Sequence, residues 1–314
     1  MDAERLVHRE WPTIELPPGM PLVVVLAGYR DAGQVVPQLR EHLLDDVDST
    51  VVARVAIDEV FDYRARRPIV AIDGPSLGEI RMPSLEVRLL HDDAGIPYLL
   101  LAGLEPDYRW DTLANELVAL ADDLEVSSVT WAHSFAMPVP HTRPVRLSVT
   151  GNRADLAEQL SVWSPHTEAP AHFAHVLGAR LAERDYPVLG LVALIPHYVA
   201  EVPVPSGAIA VIEGLGTVTG LMLSTSALRE ADREFRQSVD EQITGNHEVL
   251  ELISSLEQQH DSYLANLPNQ PSMINAEDLP TADDLARELE QFLARTRDSD
   301  DKGDKGGPVD RDAG

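Results

Sequence analysis

The chain has 314 residues, 25 of them Lys or Arg and 52 Asp or Glu, for a formal net charge of −27. So acidic a chain repels phosphate backbones and anionic lipid, which excludes nucleic acid and membrane surfaces as default partners. Cysteine is absent, which excludes disulfides, thiolate nucleophiles and Cys-based zinc sites, and no apolar run reaches the roughly 18 residues of a transmembrane helix.

At ~150 residues per domain, the length fits one large domain or two smaller ones. The 44% hydrophobic content is that of a globular chain. The first 20 residues carry Asp2, Glu4, Arg5, Arg9, Glu10 and Glu15, with no apolar signal-peptide core. A cytoplasmic protein is expected. The only lysines are Lys302 and Lys305, so the expected folded part holds none for catalysis.

Leu22–Ala27 is a short apolar run ending at Gly28 and reads as a buried strand. Gly33–Leu44 reads as a helix with Val36, Leu39, Leu43 and Leu44 on one face. Val51–Ile57 is a second strand-like run. Leu85–Leu90 and Tyr98–Ala102 flank Asp92-Asp93-Ala94-Gly95, a hairpin signal. Trp110–Leu124 is a helix, and Val126–Trp131 a strand. Asn152–Leu160 and Ala171–Ala182 read as helices, and Val188–Leu194 as another buried strand. Strands alternating with helices predict an α/β fold, doubly wound around a mainly parallel sheet.

From Leu228 the apolar residues recur every three or four positions to Tyr263. This predicts one long helix, or two broken near Gly245-Asn246, packed on its own domain or on a partner subunit. A further short helix is expected from Thr281 through Leu293. Residues 229–314 hold 9 basic and 21 acidic residues, a net charge of −12, and all four tryptophans lie before residue 228. The expected organisation is an α/β domain over 1–228, a helical extension over 229–297 and a disordered acidic tail over 298–314.

Several segments leave predicted strands at their carboxyl ends, where α/β sheets place ligands. Gly28-Tyr29-Arg30-Asp31-Ala32-Gly33 is one; its glycines either hold an anion at the helix start or simply make the turn. Neither a dinucleotide nor a P-loop glycine pattern is present. Glu105, Asp107 and Arg109 precede Trp110; the acids suit acid–base chemistry, hard-cation binding or helix capping. His133, His141 and His197 follow two other strands and are candidates to converge with Glu105. No metal-ligand spacing is present, no cofactor is implied, and Ser134 lacks a nucleophile elbow. No complete catalytic set emerges. The ligand-pocket candidates are Gly28, Tyr29, Glu105, Asp107, Arg109, His133 and His197. Tyr63, Arg64, Arg66 and Arg67 form a basic cluster in an acidic chain; the arginines either pair with local acids or meet a subunit interface.

Taken in order, Leu22–Gly33, Asp62–Pro68, Gly103–Trp110, Met137–Pro144 and Ile195–Tyr198 resemble the proteasome assembly chaperone family in its bacterial form. The resemblance implies a core similar in fold to nucleoside phosphorylases and related hydrolases. It implies homo-oligomers, trimers being favoured, with a helical C-terminal extension. It also implies a non-enzymatic partner of proteasome-like α-subunits. Some family members use a tail ending hydrophobic–tyrosine–any residue; Arg311-Asp312-Ala313-Gly314 departs from that pattern. The competing expectation is a small-molecule binder or enzyme of the phosphorylase or hydrolase type, with its site at the strand ends.

Overall fold

The computed structural model describes residues 5–10, 16–45, 47–163 and 168–265. The short helix over 281–293 and the tail beyond 298 lie outside the described residues. One contact unit holds every described residue except Glu168; the other comprises Pro165–Glu168 and Met273–Gly314.

Ten strands are present among the described residues: β1 (Val7–Arg9), β2 (Pro21–Ala27), β3 (Thr50–Val55), β4 (Ile69–Asp73), β5 (Ser76–Arg81), β6 (Leu85–His91), β7 (Pro97–Leu104), β8 (Ser128–Met137), β9 (Leu147–Gly151) and β10 (Val188–Pro196). The helices are α1 (Val35–Leu44), α2 (Ile57–Val60), α3 (Trp110–Asp123), α4 (Ala154–Leu160), α5 (Phe173–Ala182), α6 (Pro205–Thr219), α7 (Ser226–Ile243) and α8 (His247–Ala265), with single 3-10 turns at Ala32–Gln34 and His197–Val199.

Eight strands form one sheet in the order β1-β3-β6-β7-β2-β8-β10-β9. Its centre, β7-β2-β8-β10, is parallel. The flanking pairs are antiparallel, and β3 regains the direction of the central strands. The strand β2 is buried on both faces, as its unbroken apolar run requires. Its side chains alternate between two cores. Leu22, Val24 and Leu26 face α3 and α5, whereas Val23 and Val25 face α1 and α6. Helices on both faces make the fold doubly wound α/β.

Two strands run further than their apolar patterns indicate. β8 continues past Trp131 to Met137 because β10 pairs with it residue for residue up to Pro196. His133 and Ser134 therefore sit inside a central strand, not in a loop after it. The hairpin β4–β5 forms a separate two-stranded sheet.

The C-terminal helices break at Gly245, whose φ of 90° suits glycine. They return onto the segment between β8 and β9 and onto the residues that follow α4. Arg236 Nη1 donates to the carbonyl of His141 at 3.1 Å. Arg143 grips Asp261 at 2.9 and 2.7 Å and Glu257 at 3.1 Å. Tyr263 donates its hydroxyl to Val162 O at 2.8 Å. Val239, Ile253 and Leu256 are buried there. The apolar stripe is thus covered by its own chain at these positions. No described helix is long and apolar enough to cross a membrane.

Candidate functional site

The carboxyl ends of β2 and β7 lie side by side, and Glu105 is the first residue past β7. Its N–H donates to Ala27 O at 2.8 Å, extending the parallel pairing by one residue. That places the Glu105 side chain over Gly28. A Cβ on Gly28 would lie 2.8 Å from Glu105 Cβ and 3.0 Å from Oε2. Only glycine leaves room for this approach.

Glu105 is 7% exposed. Its Oε1 accepts from the N–H of Phe173 at 2.6 Å. Phe173 opens α5, so the carboxylate satisfies a first-turn donor and meets the positive end of the helix dipole. Burial raises the Glu105 pKa. The Phe173 hydrogen bond and the charge of Arg66 act the other way.

Arg66 binds the neighbouring acid. Its Nε donates to Asp107 at 2.9 and 3.1 Å. Asp107 Oδ2 also accepts from Asp62 N at 2.8 Å. Asp107 therefore ties the 61–68 loop to the β7–α3 connection rather than standing free as a base. Arg109 turns away and pairs with Glu59 at 2.8 Å. Tyr29 lies beneath the guanidinium of Arg30, 5.9 Å from its ring centre.

Beside Glu105 lies an aromatic cluster. His133, 7% exposed, meets His172 with ring centres 4.6 Å apart. His172 and His175 lie 4.1 Å apart, and Trp131 contacts both at 5.0 and 4.6 Å. His172 Nδ1 accepts from Ala174 N at 3.1 Å, which caps α5. Burial and the neighbouring His175 push the His133 pKa down to about 4. Burial first, then its imidazole neighbours, lower His172, and burial lowers His175. All three rings are neutral at pH 7. The buried Nε2 of His172 has no hydrogen-bond partner among the described residues.

Glu105 and His133 thus meet the same helix start, one through Phe173 and the other through His172. His197 occupies the turn after β10 and packs against Tyr198, 5.4 Å between ring centres. Tyr198 in turn lies 2.7 Å from Nδ1 of His141 and accepts from its N–H at 2.7 Å. Ser134 is fully buried and lies 2.6 Å from Asp31 Oδ1 and 2.7 Å from Ala32 O, a bond that holds the turn after β2. Among the basic cluster, Arg64 is highly exposed and lies 3.5 Å from Asp62, Arg67 is exposed, and Tyr63 donates to Asp58.

His172 and His175 escape a reading confined to strand ends. Their three-residue spacing across the start of an apolar helix, N-cap to third helical position, is the available signal. Two open hollows, of about 360 and 350 Å³, lie elsewhere. One sits at the amino ends of β2, β7 and β8, beside Pro21, Pro97 and Ser128; the other lies beside β9 and α4. Among the described residues no three acidic or histidine side chains are arranged to hold a metal ion. The arrangement fastens two strands, a loop and a helix through buried polar contacts.

Comparison with known proteins places this geometry in context. No curated protein matches the chain. A protein of unknown function from Corynebacterium glutamicum is 30% identical, with a TM-score of 0.81 over 84% of this chain and 100% of that one. A Mycobacterium tuberculosis protein of unknown function is 31% identical, with a TM-score of 0.77 over 84% of this chain and 92% of that one. The Mycobacterium tuberculosis proteasome-assembly chaperone homologue is 25% identical, with a TM-score of 0.68 over 74% of this chain and 100% of that one. The PAC2 family model matches residues 25–243, which span both strand ends, the Glu105 cluster and α7, so this chain belongs to the PAC2 family.

Proposed function

We propose that this chain is a non-enzymatic, assembly-chaperone-like protein of the cytoplasm whose partners are proteasome-related, with proteasome-like α-subunits as the specific partner. The supporting observation is its likeness to the Mycobacterium tuberculosis proteasome-assembly chaperone homologue. The closed state of the Glu105 cluster agrees with it. Glu105, Asp107 and Ser134 each engage the protein's own groups. A general base needs access to a substrate proton, and these side chains are committed to holding elements together.

In this reading the α/β part, residues 1–228, is a homo-oligomer, with a trimer favoured. The helical extension begins at residue 229, and the part of it beyond residue 265, like the acidic tail over 298–314, lies outside the described residues. Tyr63, Arg64, Arg66 and Arg67 lie near the subunit interface.

Affinity capture tests the proposal. The full chain, immobilised and exposed to an actinobacterial extract, is expected to retain proteasome α-subunits above an unrelated acidic bait. Retention of neither α-subunits nor any other proteasome component would overturn it. A parallel thermal-shift screen with nucleosides and phosphorylated sugars is expected to leave the melting temperature unchanged. A ligand at 100 times its Kd would add about 2.7 kcal/mol of stability.

A further inference from the structure

A hollow of about 360 Å³ opens at the amino ends of the central strands, at the opposite end of the sheet from Glu105 and the 61–68 loop. Its volume falls within the range of small binding sites. Pro21, Pro97 and Ser128, the first residues of β2, β7 and β8, line it. Val218, from the end of α6, and Leu221, from the link beyond it, close one side.

A single carboxylate fixes the rim. Asp92 is 7% exposed; its Oδ1 accepts from the N–H of Ile96 at 2.7 Å and its Oδ2 from that of Met222 at 2.7 Å. The N–H of Asp93 donates to Met222 O at 2.9 Å, so the β6–β7 turn is locked to the α6–α7 link. The lock holds two large apolar side chains in the open. Ile96, which lines the hollow, is 46% exposed, and Met222, next to Leu221, is 60% exposed. Held in place this way, they lose little freedom when a partner covers them.

The hollow is short of hydrogen-bond donors. Pro18, Pro21 and Pro97 have no N–H to offer. The N–H groups of Gly19 and Ser127 are already bonded to Glu125 O and Met20 O. Asp93 and Glu125 are the only charged described residues within three positions of a lining residue, and both are exposed. Such a rim repels carboxylates and phosphates and suits an apolar side chain carried between cations. Residues 266–314 hold 12 acidic and 6 basic residues, and a second copy brings the same net charge of −27. Both are therefore poor occupants.

We propose that this hollow docks a basic segment of a partner protein, which inserts one leucine-sized or aromatic side chain between Ile96 and Met222. An apolar anchor in a pocket, ringed by complementary charge, is the usual anatomy of such a contact. The proposal is independent of the proteasome reading and of the oligomeric state.

The probe is a fluorescent peptide with one central leucine flanked by arginines, titrated against the full chain by anisotropy. Saturable binding is expected at submillimolar peptide. Exchanging the leucine for alanine should weaken it about tenfold, the worth of one buried aliphatic side chain, and exchanging the arginines for glutamates should abolish it. Ile96→Ser/Met222→Ser, which alters two side chains already exposed, should also weaken binding about tenfold and leave the circular dichroism native. No saturation by millimolar peptide overturns the proposal. Equal affinity for the leucine and alanine peptides, the mark of diffuse charge attraction, overturns it too, as does unchanged affinity in the folded double variant. Should that variant not fold, a photoreactive leucine in the peptide is crosslinked to the wild-type chain. Adducts on Ile96, Leu221 or Met222 are expected; adducts only elsewhere overturn the proposal.

Discussion

Gly28 has no Cβ, and Glu105 occupies the space that one would need. Gly28→Ala should therefore cost about 1–3 kcal/mol through overpacking. Glu105→Ala should cost a similar 1–3 kcal/mol, because it leaves the Phe173 N–H unpaired at a buried helix start. Urea unfolding measures both. The imidazole cluster predicts a pH dependence. His133 titrates near 4 when folded and near 6.5 when unfolded, so the unfolded state takes up its proton first. Its contribution is intact above pH 6.5 and is lost as pH falls toward about 4, amounting to on the order of 2–3 kcal/mol. His172 and His175 shift the same way. Glu105, raised by burial, shifts oppositely: its contribution is full below about pH 4.5 and is lost as pH rises through the folded value. The melting temperature should fall between pH 6.5 and 4.5, and His133→Gln should flatten that slope. An unchanged slope would contradict the account. At this scale the sequence points to Gly28, Glu105 and Asp107, because glycine and acids at strand ends are local signals. It does not tell that Arg109 turns toward Glu59, since that depends on where α2 packs.

Secondary structure was legible where the apolar period was clean. α3 carries Leu113, Leu117 and Leu120 in register, and its sequence bounds differ from the folded ones by one residue. α6 leaves no such trace, because Ala208, Ile209, Ala210, Val211, Ile212 and Leu215 bury it all round. The hairpin β4–β5 carries an Asp-Gly turn signal at Asp73-Gly74, yet its apolar residues face outward, against the expectation that β-branched runs mark the core. Trp131 shows how elements constrain one another. Gly190 lies opposite it in the parallel register, and a Cβ there would come within 2.0 Å of the indole. The missing side chain lets the indole lie across β10 and reach His172 and His175. Gly190→Ala should cost 1–3 kcal/mol or more by overpacking and shift the tryptophan fluorescence. Arg143→Ala acts more weakly, since its ion pairs with Glu257 and Asp261 are partly solvated. Little loss of global stability is expected in urea unfolding, with faster amide exchange confined to α8.

At the scale of the whole molecule, a single acidic total hides an uneven distribution. The charge of −27 disfavours phosphate polymers, while Arg64, Arg67 and Arg81 gather around the one described hairpin that packs on nothing else. The fold was legible as α/β because buried strands and amphipathic helices alternate. Of its antiparallel flanks, the β6–β7 pair was legible from the Asp92–Gly95 turn, whereas the placing of β1, β3 and β9 was not, because direction there is set by pairing rather than by composition. Its polar cluster ties the ends of β2 and β7, the 61–68 loop and the start of α5 to one another. The most direct measurement mixes the purified full chain with purified actinobacterial proteasome α-subunits and follows both by native mass spectrometry. The account predicts a complex containing both chains at micromolar concentration. α-Subunits that stay entirely apart from this chain at tens of micromolar would contradict it.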